Sequence, residues 1–261
     1  MVSIPAQTVA FSLSIGSRTI GSEHLPALLE RYQLMPQLVR ELVIDDAISS
    51  ITLEPGAFED GVAQLRMRNQ IQSDEQFDAW LAHNDLTPEV LRGRLERTLK
   101  IEQFKQDRWD SQLEGYFLDN KTQYDKAIYS LIRTDDAYAA QELYFRLQEN
   151  DKVFGEIASQ YSQGPEAKTG GMVGPVPLGN IHPSLIQILS SSQPGQLHPP
   201  LRLDKWNVIV RLEQMLPAKL DDAMRQTLLT QLYDEWLGEQ VGEVLARHNK
   251  PSEPDASTPQ Q

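Results

Sequence analysis

The chain has 261 residues, of which 24 are Lys or Arg and 37 are Asp or Glu, so its formal net charge at pH 7 is −13. This acidic balance, with scattered basic residues, argues against nucleic acid as a partner, because nucleic-acid binding requires clustered Lys and Arg. The absence of cysteine excludes disulfides, thiolate nucleophiles and Cys-ligated zinc.

The first predicted element is a β-hairpin within residues 1–22. Apolar and polar residues alternate there around Gly16-Ser17, which is typical of two short strands joined by a turn. The segment lacks the basic stretch and the continuous apolar stretch of a secretory signal. The chain also has no apolar run of 18 residues. The sequence therefore predicts a cytoplasmic protein without membrane insertion.

Helical patterns dominate residues 23–124 and predict a helical domain. Start signals at Pro55, at Ser73 with Gln76, and at Thr87-Pro88 each precede a helical pattern. Apolar residues of the first long helix recur at helical spacing and are expected to face inward. They are Leu38, Leu42, Ala47 and Ile51, with Val39, Val43 and Ile48 beside them.

Residues 125–215 change to a mixed pattern of strands and helices, and the predicted fold class of the whole chain is α+β. The predicted order in this domain is β-α-α-β-α-β-β. The clearest elements are strands at 127–132 and 206–213, helices at 135–150 and 152–162, and a short helix that begins at Pro183.

Residues 216–247 predict one long helix that packs back on the N-terminal helices and completes the helical domain. Its apolar stripe requires a partner surface. The stripe consists of Leu220, Met224, Leu228, Leu232, Trp236, Val241 and Leu245. The tail at 248–261 is polar and rich in proline, which predicts disorder.

The segment YSQGPEAKTGGMVGPV (161–176) carries four glycines and two prolines. It matches neither the G-x-x-x-x-G-K-[ST] pattern of a phosphate-binding loop nor the G-x-G-x-x-G dinucleotide pattern. A strand-like pattern resumes directly at Met172-Val173, which is not typical of a linker. The histidines of the chain are scattered without metal-binding spacing. The sequence therefore predicts no cofactor and no metal.

A helix ending in YS, a loop of small residues and then GG-x-[LV]-G resembles the parvulin family of peptidyl-prolyl isomerases. The other parts follow in the family's order: AIYSLI, two helices, GGMVG, HPSLIQILS, PGQLHPPLRL and NVIVRLE, over residues 126–214. The helical sequence SDEQFDAWLAHNDLTPEVLRGRLERTLKIEQF is similar to the N-terminal chaperone segment of SurA/PrsA-type proteins.

This resemblance implies an isomerase and chaperone that acts on proline-containing or unfolded polypeptide. Rotation about the prolyl peptide bond faces a barrier of about 18–20 kcal/mol and needs neither a nucleophile nor a cofactor. Parvulins supply an apolar seat for the proline ring and a polar group near the amide: two histidines and a loop Cys or Asp.

Carried over by position, the two histidines fall at Tyr129 and Asn207, and the loop Cys or Asp falls near Gly164. The seat falls at Val173, Ile181 and Leu185. The wider substrate-binding set adds Met172, His182 and Leu203. Because both histidines are replaced, we expect weak catalysis.

Several alternatives stay open at this level. Tyr129 and Asn207 either orient a bound peptide amide or satisfy each other by a hydrogen bond in the core. Glu166 and Lys168 either select charged neighbours of the proline or are simply solvated. The protein is then an active isomerase, an inactive parvulin-like peptide-binding chaperone, or a scaffold subunit of a peptide exporter. The last reading rests on a similarity to cyanobacterial proteins of this general shape.

Overall fold

The computed structural model describes residues 12–150 and 153–248. The expected first residues of the hairpin segment and the expected tail after His248 lie outside this range. The elements in chain order are β1 (Ser12–Ile15), β2 (Arg18–Gly21), α1 (Leu25–Arg31), α2 (Met35–Ile48), α3 (Ala57–Arg68), α4 (Asp74–His83), α5 (Pro88–Trp109), α6 (Leu113–Tyr124), β3 (Lys126–Thr134), α7 (Ala137–Glu149), α8 (Phe154–Tyr161), β4 (Met172–Pro177), α9 (Pro183–Ser191), β5 (Leu197–Leu203), β6 (Trp206–Leu216) and α10 (Asp222–His248).

The chain divides into two compact units. The helical unit comprises the described residues up to Leu113 and from Arg225 onward, and the sheet unit comprises those from Glu114 to Met224. The predicted fold class is confirmed: a helical domain accompanies a β-α-α-β-α-β-β domain. Among the described residues, no helix combines the length and the apolar character needed to cross a bilayer.

The helical unit contains the β1–β2 hairpin, whose strands pair antiparallel from Ser12 with Gly21 to Ile15 with Arg18. Two helix starts follow the predicted signals. The Ser73 hydroxyl accepts a hydrogen bond from the backbone N–H of Gln76, and the Thr87 hydroxyl accepts one from that of Val90. Each side chain satisfies a backbone donor that the first helical turn leaves without an intrahelical partner.

An aromatic cluster forms the interior where α10 packs on α5. Trp109 meets Phe104 edge to face at 5.7 Å between ring centroids and Tyr233 at 6.4 Å, and Phe104 lies 5.0 Å from Trp236. Such edge-to-face pairs are favourable beyond the apolar area that they bury. The C-terminal helix therefore completes the helical domain, as the sequence predicted.

The buried faces of two helices differ from the predicted ones. In α2 the buried residues are Val39, Ile44 and Ile48, whereas Leu38 and Leu42 are exposed. In α10 the buried residues are Leu228, Leu229, Tyr233 and Leu237, so only Leu228 of the predicted stripe is fully buried. Apolar residues surround much of each helix, and the partner helices decide which of them are covered.

The sheet unit is built on a four-stranded antiparallel sheet in the order β4-β3-β6-β5. Helices α7 and α8 cover one face, where Leu143, Phe154 and Ile157 pack against Ile132 and Ile209. Helix α9 covers the other face, and we call its contents the α9-side core. Its buried residues are Ala127, Tyr129, Leu131, Leu178, Ile181, Leu185, Leu189, Val208, Val210 and Leu212.

The sheet unit is longer than the expected domain of 125–215, because it begins at Glu114 and ends at Met224. Asp125 contacts residues on both sides of the expected domain. Its carbonyl accepts a hydrogen bond from the Leu178 N–H at 2.8 Å, and its carboxylate accepts one from the Ala218 N–H at 2.7 Å. Asp125 also pairs with Lys121 on α6 at 2.7 Å.

Candidate active site

The three residues expected to seat a proline ring lie in one apolar cluster. Ile181 and Leu185 are buried in the α9-side core, and the half-buried Val173 packs against it from β4. Val173 pairs in register with Tyr129 on β3, so the Tyr129 ring belongs to the same cluster. The structure thus brings together Tyr129, Val173, Ile181 and Leu185.

Helix α9 is positioned by its first turn. Pro183 occupies the start of the helix, where its missing N–H costs nothing. The His182 ring accepts a hydrogen bond from the Ser184 N–H at Nδ1, over 3.2 Å, and so caps the helix. Leu185 and Leu189, one turn apart, then face the sheet. His182 is exposed, and its ring nitrogen is engaged in this cap rather than in the cluster.

The two remaining residues of the expected substrate-binding set differ from each other. Leu203 is half-buried and packs against the α9-side core from β5. Met172 is 56% exposed and pairs with Ser130, one position away from the Val173–Tyr129 pair. Because side chains alternate between faces along a strand, Met172 points away from the seat. A substrate-binding role of Met172 stays a prediction, on the face of the sheet opposite Val173.

The expected hydrogen bond between Tyr129 and Asn207 does not form. The strand register pairs Tyr129 with Leu212 and Asn207 with Thr134. Five positions on one strand separate the two sites by about 17 Å, and an odd separation places their side chains on opposite faces. The Asn207 amide instead donates to the backbone carbonyls of Thr134, at 3.4 Å, and Asp135, at 3.2 Å. Asn207 therefore satisfies backbone carbonyls at the end of β3.

Tyr129 is the polar side chain nearest to the seat. It is 7% exposed and follows a register shift between Ile128 and Tyr129. Burial raises the pKa of its phenol, with smaller opposing effects from the cation of Arg133 and the anion of Glu166. The phenol is therefore neutral at physiological pH and can donate or accept a hydrogen bond.

A partly buried ion pair, which was not predicted from the sequence, acts electrostatically on Tyr129. Arg133 donates from Nε and Nη2 to the two carboxylate oxygens of Glu166, at 2.8 Å each. Glu166, expected to be a solvated loop charge or a selector of charged neighbours, is 4% exposed in a short 3₁₀ turn, Pro165–Thr169. The sequence did contain an indication of this pair, because Arg133 is a charged residue at an inward position of an apolar strand.

The loop position that carries Cys or Asp in parvulins falls at Gly164, and the ion pair fills its side-chain space. A Cβ atom at Gly164 would overlap the Glu166 carboxylate and the Arg133 Nε. A larger residue at this position would therefore require the ends of the Glu166 and Arg133 side chains to shift.

Comparisons with known proteins agree with this geometry. Residues 129–214 match the rotamase family model, described as the PPIC-type PPIase domain. This match confirms, for residues 129–214, the resemblance to parvulin-type peptidyl-prolyl isomerases found in the sequence. No curated protein matches the chain.

Solved structures similar to this chain include three bacterial proteins. The peptidylprolyl isomerase PrsA of Bacillus cereus is 18% identical, with 94% of this chain and 95% of that chain covered and a TM-score of 0.48. A SurA-like chaperone of Campylobacter jejuni is 15% identical over 93% and 99%, with a TM-score of 0.35. The parvulin domain of PpiD from E. coli is 24% identical over 38% and 97%, with a TM-score of 0.33.

Proposed function

We propose that the sheet unit isomerises Xaa-Pro bonds in extended or unfolded polypeptide. The observation that carries the proposal is the shared apolar cluster of Val173, Ile181, Leu185 and Tyr129 within a PPIC-type domain. The cluster reaches the surface at the half-buried Val173, where apolar contact would remove the proline ring from water and the neutral Tyr129 phenol would offer a hydrogen bond to the peptide. Binding of this kind favours catalysis only if it is stronger for the twisted amide than for the planar one.

The rate is expected to be low. Neither of the two residues carried over from the family's histidines is a histidine here, and Asn207 pairs with Thr134, five positions along β3 from Tyr129. Only Tyr129 then supplies polar contact from these two positions.

Exchange spectroscopy by NMR on a short Xaa-Pro peptide tests the proposal, because it reports binding and isomerisation in one sample. We expect faster cis-trans exchange with the wild-type protein and slower exchange with Tyr129→Phe, which removes only the hydroxyl. Asn207→Ala is the matched control: we expect it to lower the free energy of unfolding by about 1–3 kcal/mol, since it leaves buried carbonyls unpaired, and to keep the exchange rate. No acceleration by folded wild-type protein at high concentration would reject the proposal.

A second candidate function is peptide holding without catalysis. A groove of about 430 Å³ in the helical unit is lined mainly by apolar residues of α2, α5 and α10, and Leu42 is 54% and Val244 39% exposed at its border. An exposed apolar groove is typical of a surface that binds apolar segments.

Suppression of client aggregation tests this candidate. We expect Leu42→Ser to weaken suppression while leaving the isomerisation rate unchanged, with Tyr32→Ser, another exposed apolar position of the helical unit outside the groove, as the control. Capture of one dominant protein that added peptide does not displace would favour a scaffold role, as in a peptide exporter. The cytoplasmic location stays a prediction, which cell fractionation would test.

A further inference from the structure

The ion pair of Arg133 and Glu166 lies on the same face of the sheet as Tyr129, and further hydrogen bonds hold it in place. Arg133 follows Tyr129 and Leu131 at alternate positions of β3, and it pairs in register with Val208 of the α9-side core. Alternation along the strand therefore places the Arg133 side chain on the same face as Tyr129. The effect of both charges on the pKa of Tyr129 is consistent with this proximity.

The pair is held by a second layer of hydrogen bonds. The Ser162 hydroxyl donates to the Glu166 carboxylate at 2.6 Å and accepts from the Arg133 backbone N–H at 3.1 Å. The Glu166 side chain is 2% exposed, whereas that of Arg133 is 28% exposed. The carboxylate is thus the buried anchor, and the guanidinium is the part that reaches the surface.

A bidentate pair of this kind fixes the plane of the guanidinium, because two parallel N–H···O contacts define its orientation. Burying the Glu166 carboxylate and most of the Arg133 side chain costs desolvation energy that the pairing only partly returns. Such an arrangement is therefore weak evidence for stability alone. It is well suited to presenting the remaining N–H donors in one direction.

We propose that Arg133 is a catalytic residue of the isomerase site, with Glu166 and Ser162 as positioning residues; this inference rests on the proposed isomerase function. As the prolyl C–N bond twists, amide resonance is lost and the lone pair localises on the prolyl nitrogen. A guanidinium N–H aimed at that nitrogen gains a hydrogen bond that the planar amide does not offer, so it stabilises the transition state selectively.

No covalent bond forms or breaks in this step, and no proton is transferred. Arg keeps its protons throughout, because a guanidinium is not deprotonated in proteins. The donor thus occupies the role that the family gives to histidines and a loop Cys or Asp. The missing side chain of Gly164 leaves the space that the pair occupies.

The test compares Arg133→Met with Arg211→Met on the same Xaa-Pro peptide. Arg211 is a matched control, because it also pairs with a glutamate, Glu213 at 2.8 Å, while it stacks on Phe154 in the core of the opposite face. We expect Arg133→Met to lower kcat about tenfold or more, as loss of a transition-state donor does, with a peptide Kd close to the wild type. Arg211→Met is expected to keep kcat.

Glu166→Gln and Arg133→Lys keep the inference testable if Arg133→Met does not fold. Glu166→Gln leaves the guanidinium in place without its charged anchor, so we expect a lower kcat and an unchanged Kd. Arg133→Lys keeps the charge without the planar fork, and we expect it to restore only part of the activity lost in Arg133→Met.

The results that would overturn the role of Arg133 differ from the result that would reject the isomerase function. Wild-type protein without acceleration rejects the isomerase function itself. If the wild type accelerates exchange and folded Arg133→Met keeps the wild-type kcat, only the role of Arg133 is overturned. The same holds if folded Glu166→Gln and Arg133→Lys both keep the wild-type kcat. Equal loss of kcat in Arg211→Met would assign the effect to general destabilisation of the sheet and would also overturn the inference.

Discussion

The two units of this protein place their polar groups differently. Of the five buried polar or charged residues in the described parts of the chain, Ser130, Thr134, Glu166 and Asn207 lie in the sheet unit, and only Lys105 lies in the helical unit. The helical unit instead has an aromatic interior and surface ion pairs, such as Arg97 with Glu41 and Asp45. The sheet unit is therefore where oriented polar chemistry is possible, and the helical unit offers apolar contact.

The energetic meaning of the charges differs in the same way. Exposed pairs such as Arg92 with Glu96 contribute roughly 0–1 kcal/mol to the free energy of unfolding. Removing one partner of a buried pair is far more costly, because the other charge is left without compensation. The pair of Arg133 with Glu166 is closer to the second kind, because the Glu166 side chain is only 2% exposed. Replacing a buried ion pair by well-packed apolar residues is often neutral for stability.

The largest expected loss of stability that tests this difference between the units is at Trp109. It is 8% exposed and contacts Phe104, Tyr233 and Trp236, so Trp109→Ala is expected to lower the free energy of unfolding by about 3–5 kcal/mol. Urea unfolding followed by circular dichroism measures this change.

Trp80→Ala is the control for Trp109→Ala, since Trp80 is half-buried in the same unit and stacks on Phe77 alone among its aromatic contacts described here. We expect less than half the effect. Equal effects of the two substitutions would contradict an interior that depends on the aromatic cluster.

The next effect belongs to the sheet unit, at Gly171. Its φ of +83° is in the left-handed region, and a Cβ atom would overlap Ala158, Phe154 and the Leu131 carbonyl. Gly171→Ala is therefore expected to lower the free energy of unfolding by about 2–4 kcal/mol. Gly195 has a similar φ of +84° in open space, so Gly195→Ala should cost only about 1 kcal/mol. Thermal unfolding of both variants compares them, and equal costs would show that backbone strain alone matters.

The smallest effect is a pH dependence at His198. Burial lowers the pKa of its imidazole below the ordinary value of 6.5, and its Nε2 lies against the Ser192 hydroxyl. The folded state then binds fewer protons than the unfolded state, so this contribution to stability is present above pH 6.5 and is lost as the pH falls below it.

We expect Tm to fall between pH 6.5 and 5 by a smaller amount in His198→Gln than in the wild type. His83→Gln, at an exposed position of α4, serves as the control and should leave the slope unchanged. An identical slope in wild type and His198→Gln would reject the assignment to His198.

Much of the sheet unit was predictable because its local signals agree with one another. Pro183 marks the start of α9, the GG pair precedes β4, and alternating apolar residues define β6. Val173, Ile181 and Leu185 came from the family resemblance, and the structure brings all three to the α9-side core. Their role as a seat for proline stays a prediction.

The sequence could not show that Tyr129 and Asn207 lie apart, because their separation depends on strand register. A slip of one residue moves every side chain of a strand to the other face. The register shift beside Tyr129 and the pairing of Asn207 with Thr134 are decided by the packing of the whole sheet.

The sequence by itself determined the order of the elements and the resemblance of residues 126–214 to the parvulin family, because these depend on local patterns and on motifs in a fixed order. The tertiary structure alone decided which faces of α2 and α10 are buried, where Asn207 points, and that Arg133 meets Glu166 in the space left by Gly164. Those features join residues that are far apart in sequence. Their positions follow from packing and strand register, which no local pattern encodes.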